Sequence, residues 1–477
     1  MDPLDIVMKG IIKITRNYGK KVQKKEKEPV IEKNAPVLLQ GGGYRVGFAR
    51  KETMPNVKSG RTFYIAGHGS GHVMDGIISP VYVHSAWIDC GSDEGIIWLS
   101  VDSIGMTRIE INQIRRMIMD SPVIKGCKFI IVSCTHSHSG IDTLGYWGKP
   151  FLSIPADGKD KEYMDLLMEN AVKASEEAYL NRKSGKLYYG NILIKDGLRT
   201  KRAFIDKHEY LSRFRFAPDD NSAETWFLNW GGHPNTLGGD NRKLSGEYPY
   251  FMREIISEKT GANVHFGIGA IGGMDCAELV ENNPLECVKA QGKMVAEGAM
   301  SITDEIELEP KIKYLNQEFV YPVDNYVLTL LALRHTMSFK AYPCKESLTG
   351  ISMVTEMTYM SIGDKKILFL PGESFMPTVY GPYMDAEHST TGKGPEINPA
   401  PLAEIAGESD LIVYGETNDM TGYVVPPNDF VLNPTQPFLN GVHDRFDDNH
   451  YHETNSMGIN SQKAIADAFA GVVERFD

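Results

Sequence analysis

The sequence predicts an α/β fold, a single large domain on a mixed β-sheet flanked by helices. Three observations carry this expectation. Short apolar runs of strand length alternate with segments whose apolar residues fall at helical spacing. No segment repeats at a fixed period, which argues against solenoids and propellers. No Pro/Gly/Ser-rich linker divides the body of the 477 residues.

Residues 1–37 read as a flexible N-terminal arm and 38–477 as the domain. In the arm, Lys20, Lys21, Lys24, Lys25 and Lys27 stand beside Glu26 and Glu28, the pattern of a solvated segment, with a short helix at 5–16. Structure proper is expected from Tyr44, followed by the loop Gly67-His68-Gly69-Ser70-Gly71-His72. Apolar runs predict strands at 81–88 and 95–101, the second ending in Asp102. Helical spacing predicts a helix at 106–119, and the continuous run 128–134 a buried strand. A helix at 163–180, strands at 187–194, 211–216 and 225–230, a helix at 248–259, a strand at 262–267 and a helix at 284–300 follow. The second half predicts a strand at 312–320, a helix at 325–335 and a hairpin of 357–362 with 366–370 around Gly363-Asp364. A strand at 411–414, a turn-rich stretch over 418–453 and a helix at 462–476 close the chain.

Composition narrows the function. A net charge of −12 repels polyanions, so nucleic acid is not an expected partner. No run of about 18 apolar residues occurs, so stable membrane insertion is not expected either. The start, Met1-Asp2-Pro3-Leu4-Asp5, lacks the basic-then-apolar pattern of a signal peptide. The six cysteines lack Cys-x-x-Cys spacing, as suits reduced thiols in a cytoplasmic protein. The expected partner is a small-molecule substrate, and assembly into a homo-oligomer is compatible with the sequence.

Four segments place metal-competent side chains just after an apolar strand, where α/β proteins build ligand sites. In Thr135-His136-Ser137-His138-Ser139-Gly140, residues i and i+2 of an extended chain share a face, so both imidazoles reach one site or simply make loop hydrogen bonds. His233 follows Asn229-Trp230-Gly231-Gly232; alone, such a histidine is more often a surface or capping residue. Glu373 follows Pro371-Gly372, and the plain reading is a turn carboxylate. Tyr423 lies in Asn418-Asp419-Met420-Thr421-Gly422-Tyr423-Val424, and a tyrosine is more often packing than ligand. Two other segments fail their tests. Lys393 lacks phosphate-loop spacing, and Gly41-Gly42-Gly43 precedes a strand instead of following one.

Together and in order, these segments resemble the catalytic domain of the neutral/alkaline, non-lysosomal ceramidases. Thr135-His136-Ser137-His138-Ser139-Gly140 is similar to that family's Thr-His-Thr-His-Ser-Gly signature. His233-Pro234, Pro371-Gly372-Glu373 and the segment ending in Tyr423-Val424 match its His-Pro, Pro-Gly-Glu and Tyr-Val motifs, with Met420 replacing a tyrosine. Tyr451-His452-Glu453 stands where the family has Tyr-Glu-Gly.

The resemblance implies a zinc bound by His136, His233, Glu373 and Tyr423, with His138 handling protons. It places Tyr451 near the developing oxyanion and an arginine there too, Arg202 in preference to Arg199. Such a set of N/O ligands leaves one position open, as in catalytic zinc sites. Asp102 either orients a ligand histidine or caps the next helix. The family's serine in Gly-Asp-Val-Ser-Pro is replaced by Asp275 of Gly272-Gly273-Met274-Asp275-Cys276, which disfavours a serine nucleophile; Cys276 reads as a small buried residue before it reads as a nucleophile. The expected activity is zinc-dependent hydrolysis of an N-acyl amide by a metal-activated water. Alternatives are a soluble ester or lactone, carbohydrate-derived ones included, or a metal- or ligand-binding relative without turnover.

Overall fold

A computed structural model describes residues 2–151, 154–334, 336 and 339–476. The α/β class and the flanking helices are present as expected. Among the described residues, most strands divide between two mixed sheets, one nine-stranded and one six-stranded, stacked face to face. The reason lies in the strands themselves. In Gly95–Val101, Ile96 and Trp98 face the layer between the sheets, whereas Ile97, Leu99 and Val101 face the helices Arg108–Met119 and Lys161–Leu180. In Lys365–Phe369, Ile367 and Phe369 enter the same inner layer and Leu368 packs outward with the helix Ser461–Phe476. Strands apolar on both faces need a layer on each side, and the result is helix, sheet, sheet, helix. Trp98 joins the sheets: its ring lies 5.0 Å from Phe369 and 4.7 Å from Tyr414 of the opposite sheet, at near-perpendicular angles.

Three parallel pairs position the site: Gly95–Val101 with Cys127–Cys134, Thr225–Trp230 with Asn263–Ile268, and Lys365–Phe369 with Ile412–Tyr414. The hairpin at Gly363-Asp364 joins Ile351–Ile362 to Lys365–Phe369, with Gly363 at φ +60°. The helix expected at 325–335 runs Tyr326–Leu333, capped by the Asn325 side chain; its expected end at His335 lies outside the described residues.

The arm expected over 1–37 needs correction. Pro3–Lys25 is one helix, with Met8, Ile11, Thr15, Gly19 and Val22 buried on a single stripe. Of the lysines that suggested a solvated segment, Lys20, Lys21, Lys24 and Lys25 occupy its outer face and Lys27 lies beyond its end. Gly19 packs so closely on the Thr349 carbonyl that a Cβ would collide with it, and Arg16 donates to the Tyr326 hydroxyl at 2.9 Å. Val37–Gln40 then joins the six-stranded sheet beside Lys311–Val323. No helix among the described residues is long and apolar enough to cross a membrane.

Candidate metal centre

Strand ends and tight turns assemble the site. His136 follows Cys127–Cys134 and adopts φ +59°, a left-handed conformation that costs a non-glycine residue about 1–2 kcal/mol. Flanking bonds hold it there: Ser137 N–H donates to the Ser103 carbonyl at 3.1 Å and His138 N–H to the Pro234 carbonyl at 2.9 Å. The convergence of His136 and His138 therefore rests on a kink, where an extended chain had been expected. His233 follows Thr225–Trp230 across Gly231-Gly232, and any side chain at Gly232 would strike the Cys276 sulfur. Glu373 follows Lys365–Phe369 across Gly372, which has φ +76° and lies against the Gly422 backbone. Glu373–Ser374 pairs in parallel with Tyr423–Val424, which fixes Tyr423 beside Glu373.

His136 Nδ1 lies 2.6 Å from the Ile104 carbonyl and must carry the proton there, so its Nε2 presents a bare lone pair. The Ile271 backbone takes the equivalent hydrogen bond from His233. The two Nε2 atoms lie 3.2 Å and 2.7 Å from His138 Nε2. Glu373 Oε2 is 3.3 Å from His136 Nε2 and 3.8 Å from His233 Nε2, and has no hydrogen-bond partner. Tyr423 hydrogen-bonds to Glu373. All five side chains are buried. Acceptors turned on one buried point call for a cation, and imidazole with carboxylate suits a divalent metal. Part of the cluster is thus able to hold a metal ion: the ligand atoms of His136, His138 and His233 lie within 4.8 Å of one another.

The electrostatics agree. Burial and then the neighbouring imidazoles hold His138 and His233 well below the ordinary histidine pKa, keeping them neutral, the form in which imidazole binds a metal. Burial, then the Glu373 charge, pushes the Tyr423 phenol well up. A narrow cavity of about 60 Å³ reaches the cluster, walled by Ile104, Leu144, Leu328 and Met420 beside His136, His138, Glu373 and Tyr423.

Two further side chains, expected nearby, stand differently. Tyr451 is one ring beyond Tyr423, at 6.4 Å between centroids, stacked on His452 at 3.9 Å. Arg202 does not line the cavity. Its guanidinium is buried between Asp429 at 2.6 Å and Glu453 at 2.8 Å, with His452 Nδ1 at 3.2 Å, because those carboxylates need a cation. Arg199 pairs instead with Asp275 and Glu278. Asp102 orients no ligand histidine; both its oxygens bind Arg253, at 2.9 and 2.6 Å.

Glu416 escaped the sequence reading. It follows Ile412–Tyr414 at φ +49°, is 2% exposed, and sets Oε2 3.9 Å from His136 Nδ1, with neither oxygen hydrogen-bonded. With His136 and Glu373 it forms a second ligand-competent group. No motif surrounds it, so no local signal marked it. His68, its ring 4.9 Å from that of His138, did have one: the Gly/His loop noted above.

A carboxylate behind the site supplies a pH test. Burial raises Glu247 to about 7, partly opposed by the Ser139 hydroxyl donating to it at 2.7 Å. Its folded value exceeds the unfolded 4.5, so the folded state holds the extra proton and stability falls as pH rises through 7. The loss amounts to about 3 kcal/mol when ionisation is complete. Glu247→Gln is expected to remove it: urea unfolding at pH 5 and pH 8 should show the variant gaining about that much on the wild type at the higher pH.

No family model matches the chain, and no curated protein matches it in sequence. Solved structures do. The neutral ceramidase from Pseudomonas aeruginosa superposes with a TM-score of 0.63 at 14% identity, over 91% of this chain and 75% of that one. The chain has the neutral ceramidase fold. A second structure, a ceramidase complexed with C2, gives a TM-score of 0.62 at 13% identity over 91% and 76% of the two chains. Within the neutral ceramidase fold of this chain, the motif positions His136, His233, Glu373 and Tyr423 meet at one point. Asp275, at the motif's serine position, forms a β-bridge with His233 and takes ion pairs from Lys201 at 2.7 Å and Arg199 at 3.3 Å.

Proposed function

We propose that the chain is a zinc-dependent hydrolase that cleaves the carbon–nitrogen bond of an N-acyl amide. One observation carries the reading: the bare Nε2 atoms of His136 and His233 and the unpartnered Glu373 carboxylate oxygen turn on one buried point beside a cavity. The likeness to ceramidases supports the amide bond as target, and the mix of nitrogen and oxygen donors supports zinc. A zinc ion held by His136, His233, Glu373 and Tyr423 supplies Lewis-acid chemistry, polarising a carbonyl and making water acidic near pH 7.

The side chains do the rest. His138, whose Nε2 faces the Nε2 atoms of His136 and His233, takes the proton of the attacking water there and passes it to the departing nitrogen. Tyr451 donates its phenol hydrogen to the oxyanion that forms on the carbonyl. Arg202 is a positioning residue: it holds Glu453 and His452, and His452 carries the Tyr451 ring. The substrate is a small molecule met in solution; all six cysteines are free, which supports a reducing, cytoplasmic setting.

Elemental mass spectrometry on protein purified without added metal tests the reading. About one zinc per chain is expected, with amide hydrolysis lost to a chelator and restored by zinc. Protein that takes up no metal even when zinc is offered overturns it.

A further inference from the structure

Beside the narrow cavity lies a second, of about 320 Å³, a size typical of small-molecule sites. The two share a wall: Gly67 lines the first and His68 the second. Asp275 links the second cavity to the metal centre through its β-bridge to His233. The chemistry of the two differs. The first is apolar and small. The second is lined by Arg199, Lys201, Asn235, Asp275, Glu278 and Gln291. Asp275, 2% exposed, accepts from Asn235 Nδ2 at 2.9 Å and pairs with Lys201 and Arg199, while Arg199 also reaches Glu278 at 3.2 Å. Two cations and two carboxylates cancel, so the cavity offers dense polarity without net charge. Gln291 is 1% exposed; its Nε2 donates to the Ala277 carbonyl at 2.9 Å, and its Oε1 has no hydrogen-bond partner.

An uncharged ligand that both donates and accepts at many points meets these demands. Hydroxyl groups do both, giving a hydrogen to Gln291 Oε1 and accepting from the ammonium and guanidinium groups. We infer that this cavity binds the polyhydroxylated amine portion of the substrate, so that the enzyme acts on short-chain N-acyl amino sugars or amides of like chemistry. The inference rests on the hydrolase reading above. The small apolar cavity takes the acyl group, the polar cavity takes the polyol, and the scissile C–N bond lies between them at the metal centre. Water's oxygen goes to the acyl carbon, giving a carboxylic acid. Its hydrogens satisfy the acid and the freed amine.

Calorimetric titration tests the cavity, with N-acetyl-D-glucosamine and N-cyclohexylacetamide as probes, and metal content and amine release measured alongside. The sugar is expected to bind at least about tenfold more tightly than its hydroxyl-free counterpart. Lys201→Met is expected to weaken sugar binding about tenfold while leaving metal content and N-cyclohexylacetamide binding unchanged. Arg199→Gln, at a half-exposed position, repeats the test if Lys201→Met fails to fold. Sugar binding no tighter than that of the cyclohexyl compound, or unmoved by the substitutions, overturns the inference. Failure of the hydrolase reading looks different: no metal and no amine release, with sugar binding intact.

Discussion

His233→Ala is expected to empty the metal centre and to lower amide hydrolysis by at least about a thousandfold, since a catalytic metal contributes several kcal/mol to the transition state. His233 supplies an imidazole nitrogen facing that of His136, and its ring is aimed by the Ile271 backbone. The contrast with His138→Ala separates binding from proton transfer. His138 touches the other two imidazoles at 3.2 and 2.7 Å, but its proposed work is on the reacting water and nitrogen. Its removal is expected to leave zinc content near one per chain and KM little changed while kcat falls about 10²–10⁴-fold. Metal analysis and steady-state kinetics on both variants check this; zinc lost equally from the two would make His138 a ligand and remove it as the proton carrier.

Arg202→Met is expected to destabilise the fold by about 3–5 kcal/mol near neutral pH, because it strands Asp429 and Glu453 in the interior. In the native protein burial pushes Glu453 up, but Arg202 and His450 outweigh it and hold the carboxyl below its usual range. Without the guanidinium, burial is left to raise the Glu453 carboxyl above its unfolded value. The folded variant then holds the additional proton, and its deficit should shrink as pH drops toward 5. Denaturant unfolding across that range checks the sign. A variant of native stability that had lost only kcat would instead make Arg202 a group that touches the reacting carbonyl.

The local motifs were legible because each candidate ligand sits at the end of an apolar run, and a strand-end position can be read without knowing the partner strand. His136, His233 and Glu373 all fall in this class. Arg202 was not legible, since its partners lie 227 and 251 positions further along the chain. Stacking of two sheets, likewise, depends on which faces meet, and Ile96 and Trp98 read the same whether a helix or a second sheet covers them. At the N-terminus the signal was present but overlaid: the stripe Met8, Ile11, Thr15, Gly19, Val22 follows helical spacing while lysines dominate the composition. Glu416 carries no pattern, because its place depends on a left-handed backbone turn set by contacts outside its own segment.

The proposed ligands come from both halves of the sandwich. His136 and His233 leave the nine-stranded sheet, whereas Glu373 leaves the six-stranded one and Tyr423 is stitched to it. An ion shared among them would act as a clasp across the mouth of the sandwich. With such an ion bound, prising the sheets apart at this end and dissociating the ion would become one event, so affinity for the metal would include the cohesion of the aromatic layer that holds the sheets together. Trp98, Phe369 and Tyr414, which join the two sheets, would thereby help to set how firmly it is gripped.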